Sequence, residues 1–475
     1  MLLVLHGIVL AQQAAAKPDP IRERIVGAAL TRGGASAFLE TLTDTIGGRV
    51  TGSPEAKATA ELILKTLKDA GFEDAHFEEF PLAMGWRRGP ATGWVVSPAK
   101  QPLLIGSYGW SPGTNGAVEV PLVALELTAD GKLAGDAAKL RGAAVLVDLQ
   151  SGNSLSFAAN YVVRRSMVAA QLAAAGATAM LIQSEKEDRM LYTSAAGIYP
   201  KAPLPMLSVA KEDSLLLRRL LAKGDVRIKL DVQNSFDPHP PKERNVVAEI
   251  AGTNPDEVVL LGAHFDSWEP AQGANDNGSG VAAVLEAARI LKSLGVKPKA
   301  TIRFVFFSGE EQACLGSRAY AEAHKEQLDH HRAALIMDGG AQMPLGFLLQ
   351  GRSDLEARTK QLLAGLEPLG AGGVLAGADL SSDDETFVVA GVPALSLDVV
   401  AGDYDSRHHT IIDTFERIDP VAMAMDTAVL AVASYSIANA DETLGRRFTP
   451  QEVNALLKRT GQLEYVELDY GKREP

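Results

Sequence analysis

One cysteine, Cys314, stands in 475 residues, so no disulfide can close within the chain. Stability must come from apolar burial, and 46% hydrophobic residues over this length supply enough for full-sized cores. The shortage of cysteine does not exclude an oxidising compartment, because a large core needs no covalent staples. An excess of basic residues is also missing: 46 Lys and Arg against 59 Asp and Glu leave a formal net charge of −13. That balance argues against non-specific nucleic-acid binding and against adhesion to anionic membranes. Beyond the N-terminus, no stretch reads as long and apolar enough to cross a bilayer. Internal repeats and low-complexity tracts are absent. Gly278-Ser279-Gly280 opens a helical pattern, but the glycine spacing is wrong for a phosphate cradle and no Walker lysine follows.

The first twenty residues carry a short apolar run, Leu2 to Leu10, and the small-residue stretch Ala14-Ala15-Ala16. This resembles the later part of a secretory signal without its basic leading region, so 1–20 is expected to be a signal peptide on a secreted or periplasmic protein. Residues 22–46 read as helical, and Ser53 fits an N-cap with Pro54 at the first helical position. A Gly- and Pro-rich stretch, 86–116, is followed by a self-contained pattern of strands and short helices over 117–233, which carries no histidine. Asp237-Pro238-His239-Pro240-Pro241 reads as a linker. From there to about 440, apolar strands (258–261, 301–307, 333–337, 393–398) alternate with helices (279–293, 316–328, 354–369, 420–437). The expected class is α/β, with a mostly parallel sheet covered on both faces. The expected domains are 21–116 with 234–440, an insert over 117–233, and a charged tail over 441–475.

The chemistry gathers where apolar runs end. In open α/β sheets ligands collect outside the carboxyl ends of strands. His264 closes one such run, and Asp266 lies two residues on, on the same face of an extended chain and within reach of the imidazole. A carboxylate on the second ring nitrogen would fix the metal-binding tautomer. Asp276 sits in Gly-Ala-Asn-Asp-Asn-Gly, where a solvated turn is the ordinary role. Glu310-Glu311 follows Phe-Val-Phe-Phe-Ser-Gly, and two adjacent carboxylates there repel unless a cation offsets them. One of them could ligate while the other takes protons from water. Asp338 ends Leu335-Ile336-Met337. His408-His409 offers a further imidazole, with either residue of the pair as the donor. His330-His331 reads as a solvated loop and Cys314 as a core filler. The polar stretch Ser381 to Phe387 faces either substrate or solvent. Together these residues point to a cocatalytic metal site of N and O donors, which suits zinc, with manganese or cobalt as substitutes.

The segments GAHFDSW, GANDNGSG, FFSGEEQACLGS, IMDGG and HHTIIDT, in this order, resemble the cocatalytic zinc exopeptidases of the aminopeptidase Y and glutamate carboxypeptidase type. The resemblance covers roughly residues 22–440, and the insert resembles a protease-associated domain. It implies two zinc ions bridged by Asp276, one completed by His264 and Asp338, the other by Glu311 and His409. It implies Glu310 as general base, Asp266 as the residue orienting His264, a small peptide as substrate, and allows a homodimer. Two dications against three ligating carboxylates leave a positive centre that favours hydroxide over water. A related amidohydrolase, or an inactive receptor-like module on the same fold, are the competing readings. Filled ligand positions and Glu310 argue against the inactive one. Trp268, Asp379, Asp383, Asp384 and Arg407 are candidates for contact with the substrate's termini.

Overall fold

The computed structural model describes residues 20–127, 133–134, 137–149, 156–197, 201–240 and 242–470. The expected signal peptide lies outside them apart from Pro20, which opens the first helix. The main sheet has eight strands in the spatial order His76–Phe80, Glu243–Ile250, Ala300–Phe307, Asn254–His264, His331–Ile336, Ala394–Val399, Pro344–Leu348, Gly373–Leu375. The four strands at its centre, Ala300–Phe307 through Ala394–Val399, run parallel. Antiparallel partners flank them on either side. Ala300–Phe307 is buried along its whole length, as a strand covered on both faces must be.

One face packs against the helices Pro20–Arg32, Ser279–Ser293 and Pro420–Asn439. The other packs against Leu315–Ala323, Asp384–Val389, Pro450–Thr460 and Leu463–Tyr470, through Tyr320, Phe387, Val453, Leu457 and Val466. The stretch expected to be a charged tail is therefore part of the covering layer. Its charges occupy the outer side of a helix whose apolar side is buried, and Thr449 with Glu452 forms a capping box at its start. The expected single helix over 22–46 is two, Pro20–Arg32 and Ala35–Thr45, parted at Gly33-Gly34. Ser53 caps Pro54–Asp69 as expected, accepting from Ala56 N at 3.0 Å.

Pro420–Asn439 meets the length and composition of a membrane span, contrary to the sequence reading, but most of it is buried inside the protein. A helix apolar on every side belongs in the core of a large domain as readily as in a bilayer, and here it lies in the main core.

A second, nine-stranded sheet carries its own two cores. It begins at Ala91–Ser97, not at 117. The strands Ala91–Ser97, Gln101–Leu103 and Ile105–Ser107 all belong to it. Ala91–Ser97 pairs antiparallel with Arg227–Val232. Short strands among glycines and prolines, whose partner lies far along the chain, leave little local signal.

Candidate metal centre

The main sheet delivers its chemistry at one edge. His264 is the last residue of Asn254–His264, Glu310-Glu311 follows Ala300–Phe307, and Asp338 follows His331–Ile336. Parallel register puts His264 beside Phe307 and Gly262 beside Ile336, so the three strand ends are neighbours. Asp276 lies in the turn before Ser279–Ser293, where the Asp276–Asn277 peptide is cis. His409 follows the short helix Tyr404–Arg407 at φ 59°, a conformation uncommon outside glycine.

All the expected ligands converge. Asp276 stands between two imidazoles, with Oδ1 3.5 Å from His264 Nε2 and Oδ2 3.1 Å from His409 Nε2. Asp338 Oδ1 lies 3.2 Å from His264 Nε2, and Glu311 Oε2 lies 3.1 Å from His409 Nε2. Glu310 Oε2 is 3.9 Å from His264 Nε2. His408 also approaches, its Nε2 3.4 Å from Asp276 Oδ2. Two groups of donor atoms are close enough to share an ion: His264, Asp276 and Asp338, and Asp276, His408 and His409.

Asp266 works differently from its expected role. His264 Nδ1 meets the Asp266 backbone carbonyl at 3.1 Å, and the carboxylate only at 3.6 Å. That carboxylate instead accepts from Thr51 Oγ1 at 2.8 Å and from the Glu310 and Glu311 amides at 3.2 and 3.3 Å. It ties the His264 loop to the Glu310-Glu311 turn.

The electrostatics are those of a cation site. Burial, reinforced by Asp338 and Glu311, pushes the Glu310 carboxyl well above the usual range. Burial, then Asp276, pushes Glu311 up to about 7. Burial works against charge on His264 and His409 too, but Asp338 and Glu310 outweigh it at His264, and Glu311 does so at His409, so both imidazoles are raised well above their ordinary value. Burial likewise opposes ionisation of Asp276, and hydrogen bonds from the two histidines overcome it, holding Asp276 well below the usual range. Protons thus fill the part that cations would take. Glu311 Oε1 is buried without a hydrogen-bond partner, an acceptor left open that a metal ion suits. A donor set of imidazole and carboxylate with no thiolate fits zinc.

Three supports escaped the sequence reading. Arg49 is fully buried and donates to the carbonyls of Phe265 (2.6 Å), Gly47 (2.9 Å), Gln272 (2.7 Å) and Gly273 (2.9 Å), clamping both ends of the 265–273 loop. Thr51 holds Asp266, as above. Asp413 accepts from the Asn275 and Asp276 amides at 2.6 and 3.1 Å, fixing the turn that presents Asp276. A basic residue inside Gly-Gly-Arg-Val-Thr-Gly, and an acid four residues beyond His409, were the available signals.

Other expectations fare unevenly. His331 is buried, not solvated, and is held by Tyr320 Oη at 3.0 Å and Gln327 O at 2.9 Å; His330 is exposed. Asp383 and Asp384 are buried, the latter bonded to Gln350 and Ser396. Arg407 is buried on Arg417 O and Asp403. Trp268 donates to Glu311. Of the candidates for substrate contact, Asp379 is the half-buried one. Cys314 is buried, as expected.

A central parallel α/β sheet with histidine–carboxylate clusters at its strand ends and in the loops beside them has the arrangement of a metal-dependent hydrolase. Residues 245–433 match the profile of Peptidase family M28, and the chain belongs to that family. Carboxypeptidase Q of Mus musculus is 31% identical over 417 residues, covering 86% of each chain. The solved structure of a peptidase M28 precursor from Shewanella amazonensis superposes with a TM-score of 0.79 at 29% identity, over 90% of this chain and 98% of its own. A zinc aminopeptidase of Bacillus subtilis shares the fold at 22% identity and a TM-score of 0.66, over 89% of this chain and 99% of its own. The protein is a metal-dependent peptidase.

Proposed function

We propose that this chain is a di-zinc exopeptidase that releases residues from dipeptides or short peptides with a free amino terminus. The observation that carries the reading is Asp276, whose two oxygens face separate imidazoles at 3.5 and 3.1 Å. One carboxylate between two donor sets is what a paired metal centre requires. His264 and Asp338 would hold one ion, Glu311 and His409 the other, with Asp276 shared. Zinc bound there supplies Lewis acidity, lowering the pKa of water towards about 7 and polarising the scissile carbonyl.

The chain's own residues do the rest. Glu310 accepts the proton of the attacking water and returns it to the leaving amine, a task that suits a carboxylate beside the ligands, 3.9 Å from His264 Nε2, and outside the proposed ligand set. Asp266 holds the Glu310 amide in place. Asp379 is half-buried, and burial with Asp338 nearby disfavours its ionised form; a substrate ammonium would restore that charge and be held by it. The apolar N-terminal run supports an exported enzyme, and the second sheet's domain acts as a protease-associated module shaping substrate entry.

The test is a panel of dipeptides, N-blocked peptides and C-amidated peptides, with zinc content measured alongside. The reading expects close to two zinc per chain, cleavage of free and C-amidated substrates, and failure with N-blocked ones. Preference for N-blocked substrates would overturn the terminus assignment. One zinc or none would overturn the paired centre.

A further inference from the structure

The two histidines of the centre are held in different ways. His264 Nδ1 has the Asp266 carbonyl, whereas His409 Nδ1 is buried with no hydrogen-bond partner. Metal-binding histidines ordinarily have the second nitrogen oriented by such a bond. His409 is held by rings in its place: its neighbour His408 stacks on it with centroids 3.7 Å apart, and Tyr192, from the second sheet's domain, stacks with centroids 5.4 Å apart and planes 29° apart. The next residue, Thr193, donates its amide to the His409 carbonyl at 3.0 Å.

The same domain also reaches Glu311. Trp268, whose indole N–H donates to the Glu311 carboxylate, packs edge-on against Trp110 at 6.2 Å. Gly109 lies so close that a Cβ there would come within 2.1 Å of the indole. These two approaches are one piece of backbone. Gly109 N donates to Ser194 O at 2.8 Å, and Ala196 N to Gly109 O at 2.7 Å. Arg88 braces it, donating to Thr193 Oγ1 at 3.0 Å and to Glu269 Oε1 at 3.2 Å. The charged partners of His264, by contrast, are Asp266, Asp276, Glu310 and Asp338, all from the eight-stranded domain.

We propose that Tyr192 and Trp268 are positioning residues for His409 and Glu311, and that the second domain thereby sets the affinity of one metal position while the main sheet sets the other. The inference rests on the di-zinc reading above. Its physical basis is pre-organisation: a stacked imidazole and a hydrogen-bonded carboxylate lose less freedom on binding an ion than free ones. Occupancy of the His409–Glu311 position then depends on how the second domain is seated, whereas that of the His264–Asp338 position does not.

The test uses the full-length protein and zinc binding measured by chelator competition, which needs no turnover. Tyr192→Ala and Trp268→Phe are expected to weaken one zinc by about 10–100-fold and leave the other within about twofold. Tyr192→Phe keeps the stack and is expected to bind both ions as the parent does. Equal weakening of both ions, or of neither, would overturn the proposal, as would a Tyr192→Phe that behaves like Tyr192→Ala. Thermal melts of the zinc-free variants separate misfolding from loss of positioning. Should Tyr192→Ala fail to fold, Trp268→Phe decides the case alone. A parent that binds fewer than two zinc ions sinks the di-zinc reading itself, and this inference with it.

Discussion

Replacing Glu310 with Gln tests the division of labour within the site. The side chain is nearly isosteric, and the Glu310 backbone amide keeps its bond to Asp266, so the turn carrying Glu311 is undisturbed. Glu310 is not among the proposed ligands, and its oxygen lies 3.9 Å from His264, farther than Asp276 or Asp338. Both metals should therefore stay. What is lost is a group able to hold a proton, and general acid–base catalysis by one side chain is worth about 10²–10⁴ in rate. That corresponds to about 3–5 kcal/mol of barrier. The amide also removes a buried carboxyl that Asp338 and Glu311 repel, so the zinc-free protein should melt no lower than the parent. The assay is steady-state hydrolysis of a dipeptide at saturating zinc, with metal content and a melting curve on the same sample. A rate within about tenfold of the parent would refute the base assignment. Loss of both metals would show that Glu310 is a ligand.

Chelation should abolish hydrolysis and lower the melting temperature, with zinc at 1,000 times its Kd restoring about 4 kcal/mol; activity surviving complete metal removal would contradict the centre. Arg49→Met strips the donors from four loop carbonyls and should cost at least about 3 kcal/mol. Denaturant unfolding measures this, and an unchanged midpoint would show the clamp to be dispensable. Burial lowers His331 to about 4, against about 6.5 in an unfolded chain. The unfolded chain binds the extra proton between those values, so this contribution is complete above pH 6.5 and is lost as pH falls towards 4. About 3 kcal/mol is at stake. His331→Gln should flatten that part of the stability profile, and an unaltered slope would refute the assignment.

Three of the proposed ligands were legible because each stands at the end of an apolar run, so one rule about strand ends gathered His264, Glu311 and Asp338 without any knowledge of distance, whereas Asp276 and the choice of His409 over His408 rested on the family resemblance. The supports were not legible, because their partners are remote. Arg49 meets Gly273 and Thr51 meets Asp266 across more than 200 positions, and no local pattern encodes such a pairing. His331 misled for a related reason. It opens a buried strand beside an exposed His330, and only Tyr320, on another element, shows that its polar atoms are satisfied. The start of the second domain was hidden because its first strands are short and set among glycines and prolines, and Ala91–Ser97 pairs with the distant residues 227–232. Of the terminal helices, Pro450–Thr460 was legible as a helix, but its burial and the second helix, Leu463–Tyr470, were masked by charge on the outer side.

The strand His76–Phe80 finds its partner in Glu243–Ile250, and the helix Pro20–Arg32 packs on Pro420–Asn439. The second sheet, by contrast, is built within residues 91–232. As the chain emerges in order, that domain holds all its strands while the first helices still wait, apolar sides uncovered, for partners hundreds of residues away. Contacts of such separation form late, and uncovered apolar surface invites aggregation in the interval. The peptidase domain is closed by its last-made helices, Pro420–Asn439 and the pair after it, so a chain truncated before Pro420 should keep a folded second domain attached to an unfinished one.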